Sequence, residues 1–466
     1  MFLTSNNLIR TIIVRTVCAG SVFFASVVSS PPADAQPDKT EKKERYNVIL
    51  IVIDSLRADH LSCYGYPYKT SPAIDALALE GVRFSAAYSP AGYTMASMTS
   101  LFTGIYPQSH GMLEVFKDRM PNNVWTAAEI LKAHGYETAW FSLLHDPQMD
   151  AEAGFTRGFT YQGELSQEMS GKEMIFDWVD KQGSCPFFLA MNIRKVHWPY
   201  FPDQQVKKRF LRGRKKKIIE TREELLEKVW RLLKKTRRRK DFRDKPELQE
   251  IHDLCLRIDP GFFKGRFSAM RKGALLGSFS QRELCLFSKA GGDLYFSRVD
   301  MADRRNIEYL ASLYDACIYQ VDQQIVGPLL ALLKKKGFYD QSIIVVMADH
   351  GELFGEHQHL GHGPFAYEEL IHIPLIIKMP GGAVGTIGGL VQNVDVLPTI
   401  LEKLSLMIPA QVQGISFLSA MERRSWGSQA RSYLMGYTRN EAYIRNDAWK
   451  LVLFHEKIPL RLIDVT

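Results

Sequence analysis

The sequence predicts an α/β fold in which helices cover both faces of a mixed, mainly parallel sheet. Unbroken aliphatic runs at residues 48–53 (VILIVI), 187–193, 343–347 and 374–377 suit strands buried on both faces. Between them, residues 71–80, 124–134 and 310–336 carry helical patterns, the last with apolar positions spaced three and four apart. Strands alternating with helices imply a parallel or mostly parallel sheet. In such sheets the reactive groups sit on loops beyond the C-terminal strand ends, and Asp54 and Asp349 both fall there.

Composition narrows the class. A chain of 466 residues leaves room for roughly two to four ordinary domains, or one large α/β domain with an appendage. With 46% hydrophobic and 24% charged residues, it is neither a disordered chain nor a collagen-like repeat. No apolar run reaches the ~18 residues that span a bilayer, which excludes a polytopic membrane protein. Cys18, Cys63, Cys185, Cys255, Cys285 and Cys317 are scattered without a CxxC pair. That argues against a zinc ribbon, a thioredoxin-type site and a disulfide framework.

Arg10 and Arg15 precede an apolar stretch over residues 16–28, and Ala33-Asp34-Ala35 offers a small-residue cleavage site. These features predict a signal peptide at 1–35 and a secreted or periplasmic protein, with a linker at 36–46. The alternative is an amphipathic or buried N-terminal helix. Cleavage after Ala35 leaves an odd number of cysteines, so at least one thiol stays free or pairs between chains.

Net charge is +8, yet residues 207–245 alone carry +13, so the remainder of the chain is at −5. The basic balance therefore belongs to a segment, not to the body of the protein. Within it, Leu225, Leu226, Val229, Trp230 and Leu233 form one helical stripe among cations. One reading is a solvated helix packed by one face. The other is a basic amphipathic helix that meets an anionic polymer or membrane surface, with nucleic acid not expected in an exported protein.

The chemistry concentrates in Asp349-His350-Gly351-Glu352 and the following GEHQHLGHG, where four of the twelve histidines fall within residues 350–363. Histidines and carboxylates after a buried strand, separated by glycines, suggest a metal or phosphate site. Otherwise Asp349 is a helix cap and the histidines lie on the surface. Asp54, alone, suits a helix cap equally well. Thr94, in YTMASMTSLFTG, carries a hydroxyl just before a helix, at the positive end of its dipole. A plain N-cap is the alternative.

Together these residues resemble the sulfatase family of the alkaline phosphatase superfamily. The resemblance rests on Asp54 after VILIVI, on Cys63-Tyr64-Gly65-Tyr66 and on Ser71-Pro72-Ala73-Ile74-Asp75. SLFTGIYPQSHG and the DHGE, GEH and GHG blocks extend it, as do Tyr314-Asp315, Val321-Asp322, HIPLIIK and DVLPT. It runs from about Asn47 to the C-terminus, interrupted at about 204–303. It implies a three-layer alkaline phosphatase/sulfatase-like sandwich: a catalytic domain over 47–407 with the basic insertion at 204–303. A small C-terminal α+β subdomain over 408–466 follows, its natural end and a truncation both open.

Residue by residue, the resemblance implies that Asp54, Asp349 and His350 hold one divalent cation and that Thr94 completes the site and attacks the ester. Oxygen ligands with one imidazole suit Mn²⁺, Ca²⁺ or Mg²⁺. Thr94 occupies the position of the cysteine or serine that sulfatases convert to formylglycine, and the proline and arginine of that motif are Ala96 and Met98 here. The expected branch is therefore the one with a threonine nucleophile. Ser55 replaces the family's second aspartate, and Leu143 replaces a lysine whose neighbouring histidine is matched by His145. His197 matches the histidine that contacts the ester or leaving group, and His362 stands at a substrate-binding lysine. His110 is expected near the site. The expected function is metal-dependent hydrolysis of phosphate mono- or diesters, an anionic substrate in either case. Sulfuric-ester hydrolysis, phospho-group transfer and an inactive module binding an anionic polymer are the alternatives.

Overall fold

The computed structural model describes residues 45–114, 118–143, 153–165, 171–211, 296, 299–422, 431–454 and 461–465. The leader expected at 1–35, residues 36–44 of the linker expected at 36–46, His145 and the basic stripe of the insertion lie outside them.

Asn47–Ile53 forms β1, every residue of it buried, as its β-branched composition requires. Pro72–Glu80 (α1) leads to Val82–Tyr88 (β2), and Thr94–Thr103 (α2) follows. Ala127–Ala133 (α3) is opened by a capping box between Thr126 and Glu129, which trims the helix expected at 124–134. Glu137–Leu143 (β3), Tyr161–Leu165 (β4), Lys172–Asp180 (α4), Phe187–Ile193 (β5) and Gln204–Phe210 (α5) complete the first half.

In the second half, the helix expected at 310–336 is interrupted. Arg304–Val321 (α6) passes through a π-turn at Asp322–Val326 into Gly327–Lys336 (α7). Pro328 offers no N–H to the helical ladder, and the Asp322 carboxylate turns away to accept from Ala73 N and Ile74 N of α1 at 2.9 Å each. Ser342–Met347 (β6), the short pair Leu353–Phe354 (β7) and Leu360–Gly361 (β8), and His372–Lys378 (β9) come next. Gly385–Ile387 (β10), Val391–Gln392 (β11) and Val396–Lys403 (α8) follow.

The main sheet runs β10-β2-β9-β6-β1-β5-β3-β4, with β11 also on β2. β9 is antiparallel to both β2 and β6, and the other described pairs are parallel. The sheet is thus mixed and mainly parallel, as expected. The helices form two packed groups, α2, α3 and α8 in one and α1, α4, α5, α6 and α7 in the other.

Leu434–Tyr437 (β12), Glu441–Arg445 (β13), Trp449–Phe454 (β14) and Arg461–Asp464 (β15) form the separate antiparallel sheet of the C-terminal piece. It grips the loop before β9. Glu441 accepts from Ala366 N at 2.8 Å, Lys450 donates to Ala366 O at 2.7 Å, and Arg445 and Lys450 both pair with Glu368. That loop in turn presses on the turn before α2: a Cβ on Gly92 would lie 2.5 Å from Phe365 O.

β1 sits between β5 and β6, so its packing holds both neighbours in register. Ile51→Ala leaves a cavity there and should lower unfolding stability by about 2–5 kcal/mol, measured by denaturant titration.

Candidate active site

Three adjacent parallel strands aim their C-terminal ends at one place. β1 pairs β6 with Val52 opposite Met347, and pairs β5 with Ile53 opposite Ile193. Carrying both registers on to Asp54, the residue after β1, aligns Asp349, Asp54 and Arg194 across the sheet. Asp54 N still donates to Ile193 O at 3.1 Å, so the alignment persists beyond the ladder.

Ser55 then turns the chain through a left-handed φ of 63°, a strained conformation for a residue with a side chain. Tyr314 holds that turn, donating to Ser55 O at 2.7 Å and accepting from Arg57 N at 2.8 Å. The turn delivers Ser55 N to Asp349 Oδ1 at 3.1 Å and Ser55 Oγ to Asp54 Oδ1 at 2.9 Å.

Asp349 and His350 are fully buried. Asp349 Oδ1 accepts a second N–H, from His350 at 2.8 Å, whereas its Oδ2 is buried without a hydrogen-bond donor. Burial, reinforced by the Asp54 charge, pushes the Asp349 carboxyl above the usual carboxylate range. Burial opposes protonation of His350, but Asp349 and Asp54 outweigh it and raise its pKa. His350 Nδ1 donates to Gly351 O at 2.8 Å, which assigns the lone pair to Nε2. That nitrogen lies 3.4 Å from Asp349 Oδ2 and 3.7 Å from Asp54 Oδ1. A Cβ at residue 351 would meet Glu369 O at 2.0 Å, so only glycine permits this turn.

Asp54, Asp349 and His350 bring their ligand atoms within 4.8 Å of one another. The donor set fits a divalent cation on its own chemistry. Two carboxylates buried side by side repel, one oxygen is orphaned, and the imidazole is oriented by an outer hydrogen bond, as metal-binding histidines are.

Thr94 completes the cluster. It is the first residue of α2 rather than the cap before it, since Tyr93 holds the extended N-cap position. Its Oγ1 is 3.1 Å from His350 Nε2. Ser97, one turn on, donates to Asp349 O at 2.6 Å and receives Asn393 Nδ2 at 2.8 Å, tying α2 to the loop after β6.

His362 joins the same cluster, its ring centroid 4.4 Å from that of His350 and 4.7 Å from that of His197. Its Nδ1 is 2.8 Å from Glu352 Oε1, and burial pushes the Glu352 carboxyl up to about 8. Burial also drives the His362 pKa well below normal, with His350 adding to the effect. His197 has both ring nitrogens engaged: Nδ1 donates to Trp198 O at 2.5 Å, and Nε2 accepts from Arg194 Nη2 at 3.0 Å. Burial and the Arg194 charge hold its pKa well below normal.

His110 is not brought into this cluster. Its Nδ1 accepts from Met112 N at 3.0 Å, and its Nε2 faces Ser100 Oγ and Ala96 O at 3.1 and 3.2 Å. Only 2% exposed, with burial lowering its pKa to about 3, it braces α2 from below. Arg194 and Ser97 belong to the site geometry but were not singled out from sequence, and Glu352 was read only as part of the DHGE block, without a role of its own. Arg194 directly follows a strand end, as Asp54 does, and that signal could have found it.

Comparison with known proteins identifies the architecture. The family described as Sulfatase matches residues 46–406. This chain belongs to the sulfatase family. The C-terminal part of the N-sulphoglucosamine sulphohydrolase family also matches residues 355–465. Among relatives, an arylsulfatase of Clostridium perfringens is 25% identical over 413 residues, covering 84% of this chain and 81% of that one. An N-acetylglucosamine-6-O-sulfatase of Bacteroides thetaiotaomicron is 25% identical over 489 residues, covering 91% and 81%. The solved phosphonate monoester hydrolase of Agrobacterium radiobacter shares the fold, with a TM-score of 0.64 at 18% identity and coverage of 90% and 89%. This sulfatase-family protein is a metal-dependent ester hydrolase of the alkaline phosphatase-like superfamily.

Asp349→Asn and His350→Ala should each abolish divalent-ion retention, measured by elemental analysis, and turnover with it. Their strand-end position predicts an unchanged circular dichroism spectrum. Chelation of the native protein should remove turnover reversibly.

Proposed function

We propose that this chain hydrolyses phosphate mono- or diesters, with Thr94 Oγ1 as the attacking group and one cation held by Asp54, Asp349 and His350. The observation that carries the reading is Thr94 Oγ1 at 3.1 Å from His350 Nε2, in a buried cluster that fits a dication. Bound there, Mn²⁺, Ca²⁺ or Mg²⁺ supplies Lewis-acid stabilisation of charge on the phosphoryl oxygens and the attacking hydroxyl. Thr94 also stands in the first turn of α2, where the helix dipole favours negative charge on its oxygen.

The threonine bears on the choice between phosphorus and sulfur. A hydrated aldehyde can expel sulfate by breaking its own C–O bond. A threonine ester lacks that second hydroxyl, so its release needs water to attack the central atom. Phosphorus accepts that attack more readily than sulfur, which favours the phosphate reading. Ala96 and Met98, in place of the modification motif's proline and arginine, point the same way. Around the ester, His362 would hydrogen-bond a phosphoryl oxygen or serve the leaving oxygen, oriented through Nδ1 by Glu352. His145 remains a proposed substrate contact on the resemblance alone.

A second reading, sulfuric-ester hydrolysis, is favoured by the match to the Sulfatase family and by the sulfatases among its relatives. Transfer of a phospho-group to an acceptor other than water would use the same residues. Export is proposed from Arg10, Arg15, the apolar stretch and Ala33-Asp34-Ala35. The cations of 207–245 are proposed to gather an anionic polymer or to hold the enzyme at an anionic surface, an attraction that salt screens.

A panel of p-nitrophenyl phosphate, phosphate diester, phosphonate and sulfate, run with each divalent ion, should give its highest kcat/KM on a phosphate ester. Thr94→Ala should lose several orders of magnitude in kcat, whereas Thr94→Ser, which keeps the hydroxyl, should retain part of it. Mass spectrometry should find Thr94 unmodified in active protein. An unmodified rate in Thr94→Ala would make water the attacker. Deleting residues 207–245 should spare small esters and slow turnover of a polymeric anionic ester, with the difference vanishing at high salt.

A further inference from the structure

A row of rings leads outward from the cation cluster. His362 lies 4.4 Å from His350 between centroids, His197 4.7 Å from His362, Trp198 5.2 Å from His197 and Phe296 5.7 Å from Trp198. Burial falls along the row. His350 is fully buried and His197 is 9% exposed, whereas Trp198 and Phe296 are half-buried. The outer end folds back on the site, since a Cβ on Gly361, the residue before His362, would stand 3.1 Å from Phe296 Cε2. Trp198 precedes the segment at 204–303 and Phe296 lies near its end, so chain from both sides of that segment meets at this rim.

We propose that Trp198 and Phe296 form an apolar wall that receives the leaving group of the ester, favouring an alcohol with a flat ring face over a small one. The proposal rests on the reading of this cluster as the ester site. Thr94 and His350 close the inner end of the row, so the remainder of an ester bound there runs along its outer rings. His197 has both ring nitrogens engaged, by Trp198 O and by Arg194, and offers that group a ring surface in place of a hydrogen bond.

The outer rings suit this task. Trp198 and Phe296 meet at 63°, edge to face, so neither stacks fully on the other, and both retain exposed surface. Apolar ring surface left in water beside a buried polar cluster gains when a ligand's own ring covers it. Ligand sites combine a few fixed polar groups with an apolar, aromatic lining. Here the cation cluster supplies the first and the two rings supply the second.

The test separates the wall from the anion site. Inhibition constants of phenylphosphonate and methylphosphonate, and of benzenesulfonate and methanesulfonate, would be measured on metal-loaded wild type, Phe296→Ala, Phe296→Leu and Trp198→Leu. None of the four carries an ester bond, so the readout is independent of the nucleophile, and the two pairs cover both kinds of ester. In the wild type, the phenyl member of the preferred pair should bind on the order of 10-fold tighter than the methyl member. Phe296→Ala should erase most of that preference through the phenyl constant alone, with metal content by elemental analysis unchanged. Phe296→Leu, which keeps apolar bulk without the ring face, should retain part of the preference, and Trp198→Leu should lower it. No phenyl preference in the wild type, or an undiminished one in Phe296→Ala, would overturn the proposal. Equal weakening of both members in Phe296→Ala and Phe296→Leu would also overturn it, reducing Phe296 to a brace for the loop that carries His362. Failure of all four anions to inhibit would overturn the ester-site reading itself, and the proposal with it.

Discussion

Asp54 and Asp349 stand side by side at the ends of β1 and β6, both fully withdrawn from water. Two carboxylates so placed repel each other and forgo hydration, and the surrounding structure is organised to hold them there. The Ser55 turn contributes a backbone N–H and a hydroxyl, His350 contributes its own N–H, and Arg194 contributes a full charge. Each donor is itself fixed from elsewhere. Tyr314 of α6 pins the turn, Ser97 of α2 holds the Asp349 backbone, and Gly351 lets the chain bend against Glu369. The strain at Ser55 is sustained because several elements determine it at once.

Much of this was legible in the sequence because of where strong local signals fall. The long aliphatic runs mark β1, β5, β6 and β9, and the acidic residues after the first and third of them mark the cluster. Thr94 was legible from its place ahead of a helical pattern. β2 (VRFSAAY) and β3 (ETAWFSL) were not read as strands, because mixed polar and aromatic residues carry no unbroken run. The break in 310–336 was hidden for another reason. It depends on Asp322 meeting the start of α1, some 248 residues away in sequence. Arg194 escaped notice likewise, since its importance comes from strand register between distant segments. His110 was expected near the site, yet it is buried against α2 through Ser100 and Ala96, which is a tertiary fact.

The C-terminal sheet adds a constraint from outside the main domain's sheet. Glu441, Arg445 and Lys450 seize the loop at 366–368, and the backbone at Phe365 lies hard against Gly92. Through these contacts a separate antiparallel sheet bears on the approach of α2 and on the segment that follows His362. None of these contacts involves a group of the cation cluster.

The alignment of Asp349, Asp54 and Arg194 across three strand ends separates two tasks that share one space. The carboxylates are locked by backbone turns and cannot change without dismantling those turns. Arg194 opens the short turn after β5, and its side chain reaches Asp54 and His197. A single substitution at that rim position would alter the site's net charge by one unit and leave the scaffold beneath it intact. Discrimination between esters of different charge can therefore diversify independently of the machinery that holds the cation.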